Sequence, residues 1–443
     1  MITKSLAAYY DVINLNDSTT KVLCGGDANI SVTKLNNDGV NFPNRWRVQL
    51  SAVGKHELLV FEGMSCPATG TPLLIQSVIG VLAGGTTVAA GMSGNYSLAL
   101  RADSTVQSWG DNTYGQLGDG TFNNRMLPVT VSGLTGVISL AVGRNHSLAL
   151  RADGTVRGWG QNSSGQLGDG VFATYRTTPV SALGLSDIVA IAAGADHSLA
   201  LKADGTVQSW GANTYGQLGD GTTTSRLMPV KVPGLTGVVN VATGGVHSLA
   251  LKADGTVQSW GMNSSGQLGD GTTTIRVAPV GVLGVAGVTS VTAGTAHSSA
   301  LRSDGTVQSW GRNDSGQVGD GTTTDRTVPV VVNGLTNVIR LAQGADYSLA
   351  LQSNGTVQSW GANIFGQLGD GTTVSRTVPG SVGGLTGVRG IAVGGGHNLA
   401  LQGNGTVLSW GVNGKGQLGD GTMTTRPSPV GVSGLNGVFQ PMP

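Results

Sequence analysis

Residues 247–279 read HSLALKADGTVQSWGMNSSGQLGDGTTTIRVAP. Residues 248–253 and 256–260 are two short β-type runs separated by Asp254-Gly255. Asp-Gly between such runs is a hairpin signal, because a tight turn needs left-handed backbone that glycine supplies without steric cost. The spacing predicts a type I′ turn there. Beyond Trp260 the glycine-spaced stretch Gly266-Gln-Leu-Gly-Asp-Gly is too rich in glycine for a helix. A threonine-rich loop follows, and Pro279-Val-Gly-Val predicts a third strand begun by the proline. Residues 288–293 predict a fourth. No 3.6-residue apolar period interrupts this pattern, so the unit is about four strands in fifty residues.

The same sentence recurs seven times. Its tryptophans, Trp109, Trp159, Trp210, Trp260, Trp310, Trp360 and Trp410, lie 50, 51, 50, 50, 50 and 50 residues apart, and the single 51 comes from one extra residue between Asp169 and Arg176. A fixed period of this length marks a repeat architecture. Two copies use Asn354-Gly355 and Asn404-Gly405 at the hairpin, whereas the first has Asp103-Ser104, which predicts a strained turn or a different one. Four-stranded units repeated in this way are the blades of a β-propeller, in which neighbouring blades cover both faces of each sheet. The expected fold is all-β: a seven-bladed propeller over residues 83–443, preceded by a small β-rich domain over residues 1–82.

The tract G-x-x-H-S-L-A-L…D-G-T-V-x-S-W-G…N-x-x-G-Q-L-G-D-G strongly resembles the repeat of the regulator of chromosome condensation family. The resemblance implies seven blades, with ring closure between strands from the two ends of the array, residues 88–100 and 429–438. It also implies candidate activities. The founding member is a guanine-nucleotide exchange factor for a small GTPase, and some bacterial propellers of this kind inhibit enzymes. Plant ultraviolet-B photoreceptors share the repeat but cluster extra tryptophans with arginines. Here each blade has a single tryptophan, so that activity is not carried over.

Composition narrows the field further. Charged residues are 11% of the chain and the net charge is +1, against about 25% charged in an ordinary soluble domain. The 25 basic residues are scattered, which argues against nucleic acid or an anionic membrane as partner. The start of the chain lacks the apolar core of a secretory signal. The protein is therefore expected to stay inside a cell or to reach an exterior by another route. The uncharged stretch from residue 63 to 100 contains several polar residues and glycines, and reads as a linker plus a buried strand rather than a membrane span. Cys24 and Cys66 allow either a bridge or two buried thiols.

The recurring polar residues invite chemistry but read as structure. His146, His197, His247, His297 and His397 each precede their tryptophan by 13 residues, and Tyr96 and Tyr347 hold that slot in the other two copies. Equivalent positions on a ring cannot converge on one ion at about 2 Å. An aromatic ring with a polar tip suits a buried inter-strand role. The Gly-Asp-Gly aspartates, Asp119 to Asp420, each precede an arginine, Arg125 to Arg426. One carboxylate per loop falls short of a calcium loop, so a turn role or an Asp–Arg pair is expected. The glycine spacings lack the Lys-Ser/Thr and helix of a phosphate loop. No catalytic, metal-binding or cofactor-binding residues are expected.

Function should lie where the copies differ. One variable pair follows Trp-Gly-x-Asn: Thr113-Tyr114, Thr214-Tyr215, Ile364-Phe365 and Gly414-Lys415 stand out. The other precedes the His/Tyr slot and includes Arg144, Asp196 and Asp346. Tyr114, Tyr215, Phe365, Lys415, Arg144, Asp196 and Asp346 are the candidate partner-binding residues, because loops on one face of a repeat protein usually encode recognition. Residues 1–82 alternate in the β manner and predict five or six strands. The expected protein is a non-enzymatic binding or display module. Its N-terminal domain would anchor it to an assembly such as a virion, phage particle or bacterial surface, or form homo-oligomers. A propeller face would bind protein or glycan.

Overall fold

The computed structural model describes six N-terminal strands at the level of their backbone, and residues 87–438 except 92, 93 and 436. The chain divides into two compact units, Met1–Gly85 and Thr86–Pro441. In the first, Ala8–Val12, Trp46–Leu50 and Ile30–Lys34 form one antiparallel sheet in that order, and Lys21–Gly25, Gly54–Glu62 and Leu74–Gly80 form another. The pairing of Cys24 with Cys66 lies outside the described residues. Among the described residues no helix is long and apolar enough to cross a membrane.

The second unit is a seven-bladed propeller of four-stranded antiparallel sheets, each made of strands consecutive in sequence. In blade 4 the strands are Val238–Thr243, His247–Lys252, Val257–Gly261 and Arg276–Gly281, from inside outwards. The seven inner strands touch one another in a closed circuit around a central channel, the last, Val388–Val393, meeting the first, Val88–Ala90. Alternation in a strand sends successive side chains to opposite sheet faces, and here each face meets a blade. Accordingly Leu249, Leu251 and Val257 of blade 4 share a core with Val288, Val291 and Trp310 of blade 5.

Two local expectations are corrected. The hairpin is not type I′. Lys252 N–H donates to Thr256 O and Gly255 N–H to Lys252 O, both at 2.9 Å, and of the three loop residues only Gly255 has positive φ, +81°. This is the three-residue loop with a glycine bulge. Asp254 Oδ1 adds hydrogen bonds from Thr256 N and Oγ1, which explains the recurring Asp-Gly-Thr. Blade 1 keeps the same turn, so Ser104 carries φ +62°. The outer strand does not begin at the proline either. It starts at Arg276, and Pro279 lies inside a bulge between the pairs Gly261↔Arg276 and Ser259↔Val280. A bulged edge strand tolerates the missing N–H.

Closure uses both ends of the array, but through one short contact. In blades 2 to 7 the valine or isoleucine of the Gly-Leu/Val-x-x-Val/Ile turn, such as Val137, pairs with the last residue of the second strand, here Arg151. In blade 1 that partner arrives from the C-terminus: Val438 bridges Arg101, and Ala102 N–H donates to Gly437 O at 2.8 Å. Val438 is buried beside Val88, Ala99, Trp109 and Leu401.

Candidate functional site: the loop face of the propeller

Beneath the variable loops lies a fixed frame. The histidine rings are fully buried, and each reaches the next blade: His146 Nε2 to Ser198 Oγ at 3.0 Å, and so on to His397 Nε2 with Ser97 Oγ at 2.9 Å across the closure. Each of these serines except Ser348 and Ser97 lies in a blade that itself carries histidine in the slot, and Ser198 Oγ donates onward to Gln166 O at 2.8 Å. The serine therefore accepts from the imidazole, which fixes the proton on Nε2. Trp210 Nε1 donates to the same carbonyl at 2.8 Å. Tyr96 and Tyr347 bridge the two remaining blade junctions through their hydroxyls, donating to His146 O at 2.6 Å and His397 O at 2.9 Å. Burial pushes the five imidazoles down to about 3. They are neutral joints between blades.

The aspartate loops are also closed upon themselves. Asp270 Oδ1 accepts from Thr272 N, Thr272 Oγ1 and Asn263 Nδ2, and Oδ2 accepts from Arg276 Nε and Nη2 at 2.8 and 2.7 Å. Burial alone would raise this carboxyl, but the Thr272 and Arg276 donors outweigh it and hold it below the ordinary range. Among the described residues no cluster of three His, Cys, Asp or Glu side chains could hold a metal ion. Blade 6 departs from the pattern. Gly380 stands where the other blades have valine, and Arg376 turns into that space, giving Nη2 to Ser359 Oγ at 2.9 Å and leaving Asp370 at 3.4 Å.

Both variable segments lie at the same end of every blade. The second strand starts opposite the end of the third, as His146↔Gly160 shows, and Gln161 N–H donates to Asn145 O at 2.8 Å. All seven candidate residues therefore share one face. Tyr215 and Phe365 are 40% and 48% exposed, Arg144 and Lys415 are exposed, and Tyr114, Asp196 and Asp346 are half-buried. Arg144 pairs with Asp196 of the next blade at 3.4 Å. Burial raises the carboxyls of Asp196 and Asp346, against the opposing pull of Arg144 and Arg312 respectively.

Arg312 was not among the residues singled out from sequence. It stands in the x of Trp-Gly-x-Asn, and its guanidinium bridges Asp314 at 2.5 Å and Asp346 of the next blade at 3.2 Å. That column, Asp111, Gln161, Ala212, Met262, Arg312, Ala362 and Val412, also differs from copy to copy, a signal that was available. The column joins the two variable pairs into one surface. Its least polar sector spans blades 6 and 7. Ile364 is 68% exposed, and Phe365 reaches across to Gly396, where an added Cβ would sit 2.9 Å from Val412 and 3.9 Å from the Phe365 ring. The charged pairs of blades 2–3 and 5–6 lie elsewhere round the same face.

Comparison with known proteins agrees with this architecture. The RCC1-like domain matches residues 11–349, and the regulator of chromosome condensation repeat matches residues 354–401 and 404–442. The E3 ubiquitin-protein ligase HERC2 of Homo sapiens is 32% identical over 141 residues, 31% of this chain and 3% of HERC2. The ultraviolet-B receptor UVR8 of Arabidopsis thaliana is 34% identical over 140 residues, 31% of each chain. The chain thus spans only a minor part of these relatives. Among solved structures, human WBSCR16 superposes with a TM-score of 0.68 and 29% identity, over 74% of this chain and 94% of that one. Prp20p from Saccharomyces cerevisiae, whose structure was described with its binding properties to Gsp1p and histones, gives 0.67 and 26% over 74% and 85%.

Proposed function

Because this chain belongs to the RCC1-like repeat family, we propose that its propeller is a non-catalytic protein-binding module whose recognition surface is the loop face. The observation that carries this reading is the contrast between frame and surface. The His, Trp, Asp and Asn positions repeat with nearly the same hydrogen bonds in each blade, and above them the two variable pairs and the variable residue of Trp-Gly-x-Asn converge on one face. On that face the exposed Ile364-Phe365 step supplies an apolar anchor, and the ion pairs around Arg144 and Arg312 supply charge that fixes orientation. The similarity to Prp20p supports a protein partner. Glycan recognition, homo-oligomers, and anchoring through residues 1–82 remain parts of the proposal that rest on sequence alone. Display on a virion, phage particle or bacterial surface gains no support from the relatives, and the proposal omits it.

Photo-crosslinking residues placed at Phe365 or Tyr215, and at Leu183 on the opposite end of the sheets, test the choice of face. Discrete adducts with a protein from extracts of the source cells are expected at 365 and 215 and not at 183, and Ile364→Ser should abolish the adduct at 365. Equal labelling at 183 would overturn the assignment. The alternative, nucleotide exchange on a small GTPase, predicts accelerated nucleotide release from a small GTPase such as Gsp1p, which the binding-module reading does not.

A further inference from the structure

The inner strands carry a feature that the loop face does not use. They read VAA, VISLAV, IVAIAA, VVNVAT, VTSVTA, VIRLAQ and VRGIAV from blade 1 to blade 7. Two arginines, Arg340 and Arg389, stand on neighbouring strands of this circuit, and no strand of it holds a carboxylate. The acids closest in sequence are Asp187, which precedes the blade 3 strand, and Asp196 and Asp346, which follow the strands of blades 3 and 6 on the loop face. The latter two are paired with Arg144 and Arg312. Neither Arg340 nor Arg389 has an ion-pair or hydrogen-bond partner among the described residues.

Arg340 occupies the position of Ser139, Ala190, Asn240, Ser290 and Gly390 in the other blades. In blade 4 this column runs along the channel wall, since Asn240 Oδ1 accepts from the backbone N–H of Val291 on the next inner strand at 3.2 Å. Around Arg340 the apolar neighbours face the blade cores: Val338 and Leu341 pack on one side and Ala342 on the other. Next round the ring Gly390 is buried against Leu401, and the exposed Arg389 side chain extends toward Gly403 at the hairpin end of the second strand. Arg340 is half-buried, with no carboxylate acting on it, and burial alone pushes its guanidinium below its ordinary value. A half-buried cation without a partner is costly, and an oxyanion removes that cost by accepting charge-assisted hydrogen bonds from the planar fork.

We propose that the central channel is an anion-binding site that takes a small oxyanion or a carboxylate, with Arg340 as its ligand. The full chain is titrated with inorganic phosphate and separately with acetate, by calorimetry and thermal melting, against sodium chloride at matched ionic strength. Saturable binding and a rise in melting temperature are expected with at least one of the two. Arg340→Asn, the residue blade 4 already carries there, should weaken binding at least about tenfold, with melting in chloride equal to the parent's or higher. If Arg340→Asn melts early in chloride, Arg340→Lys serves as the second variant and should bind more weakly than the parent. Phosphate and acetate arms together separate a tetrahedral from a planar ligand. No saturable binding by the parent chain, or equal affinity in the parent and the Arg340 variants, overturns the proposal.

Discussion

At the scale of single residues, repetition is both signal and camouflage. The histidine, tryptophan and aspartate columns are legible as structure because each returns in every blade or is replaced by a residue of like shape. Their partners are not legible, because they lie a full repeat away: His146 needs Ser198, and Trp210 needs the carbonyl of Gln166. Arg312 escaped notice for a related reason, since its meaning depends on Asp346 in the next blade. The relay implies a cost for breaking one joint. Ser298→Ala removes the partner of His247 Nε2 and a donor to Gln267 O, both buried, and should destabilise by about 1–3 kcal/mol in denaturant melts. Blade 6 offers the opposite sign. An added Cβ at Gly380 would clash with the Arg376 guanidinium, so Gly380→Val requires that arginine to move. Asp370 waits at 3.4 Å, and the other blades show the pairing that results. A valine on this strand should then raise stability by about 0.5–1 kcal/mol, read as a higher melting temperature. A lower one would mean that Arg376 cannot leave its present hydrogen bonds.

At the scale of elements, the sequence reveals which segments are strands and leaves their irregularities hidden. Four strands per blade follow from alternation and turn residues. The turn type does not, because Asp-Gly serves both the two-residue loop and the three-residue loop with a glycine bulge, and the Thr256 hydrogen bonds to Asp254 decide between them. Nor does the proline's place in a bulge follow, since a proline opening a strand and one inside an edge bulge look alike in one dimension. Blade 1 tests the hairpin directly. Ser104 is held at φ +62°, a conformation that costs a side-chain-bearing residue about 1–2 kcal/mol. Ser104→Gly should stabilise by about 1 kcal/mol, whereas Gly255→Ser in blade 4 should destabilise by a similar amount. Equal melting of all three proteins would remove the turn from the account.

At the scale of the whole molecule, the propeller is a ring of like joints, so a perturbation that touches five of the seven acts on the fold at once. Acid is such a perturbation. The five inter-blade imidazoles are fully buried and their folded value lies at about 3, burial being the main cause. An unfolded histidine titrates near 6.5. The folded value is the lower one, so below about pH 6.5 the unfolded chain binds protons that the folded chain refuses. The stability they confer is complete above that pH and is lost as pH falls toward 3. Each group contributes about 1.4 kcal/mol per pH unit inside this window. By pH 5 five groups remove about 10 kcal/mol, comparable with the 5–15 kcal/mol of an ordinary domain. The Asp–Arg loops act later, because carboxyls held below their ordinary value, such as Asp270, begin to lose stability only under about pH 4. Asp196 and Asp346 oppose the trend, since their raised carboxyls take up protons in the folded state first. The expected result is cooperative loss of the tryptophan fluorescence of the folded ring between about pH 6 and 4.5, with uptake of several protons per molecule. His247→Tyr should move the midpoint to lower pH, because Tyr96 and Tyr347 show that a hydroxyl can bridge such a junction without a titrating group in this range. A ring that stays folded to pH 4, or a midpoint unmoved by the tyrosine, would mean that the joints can admit a proton without opening.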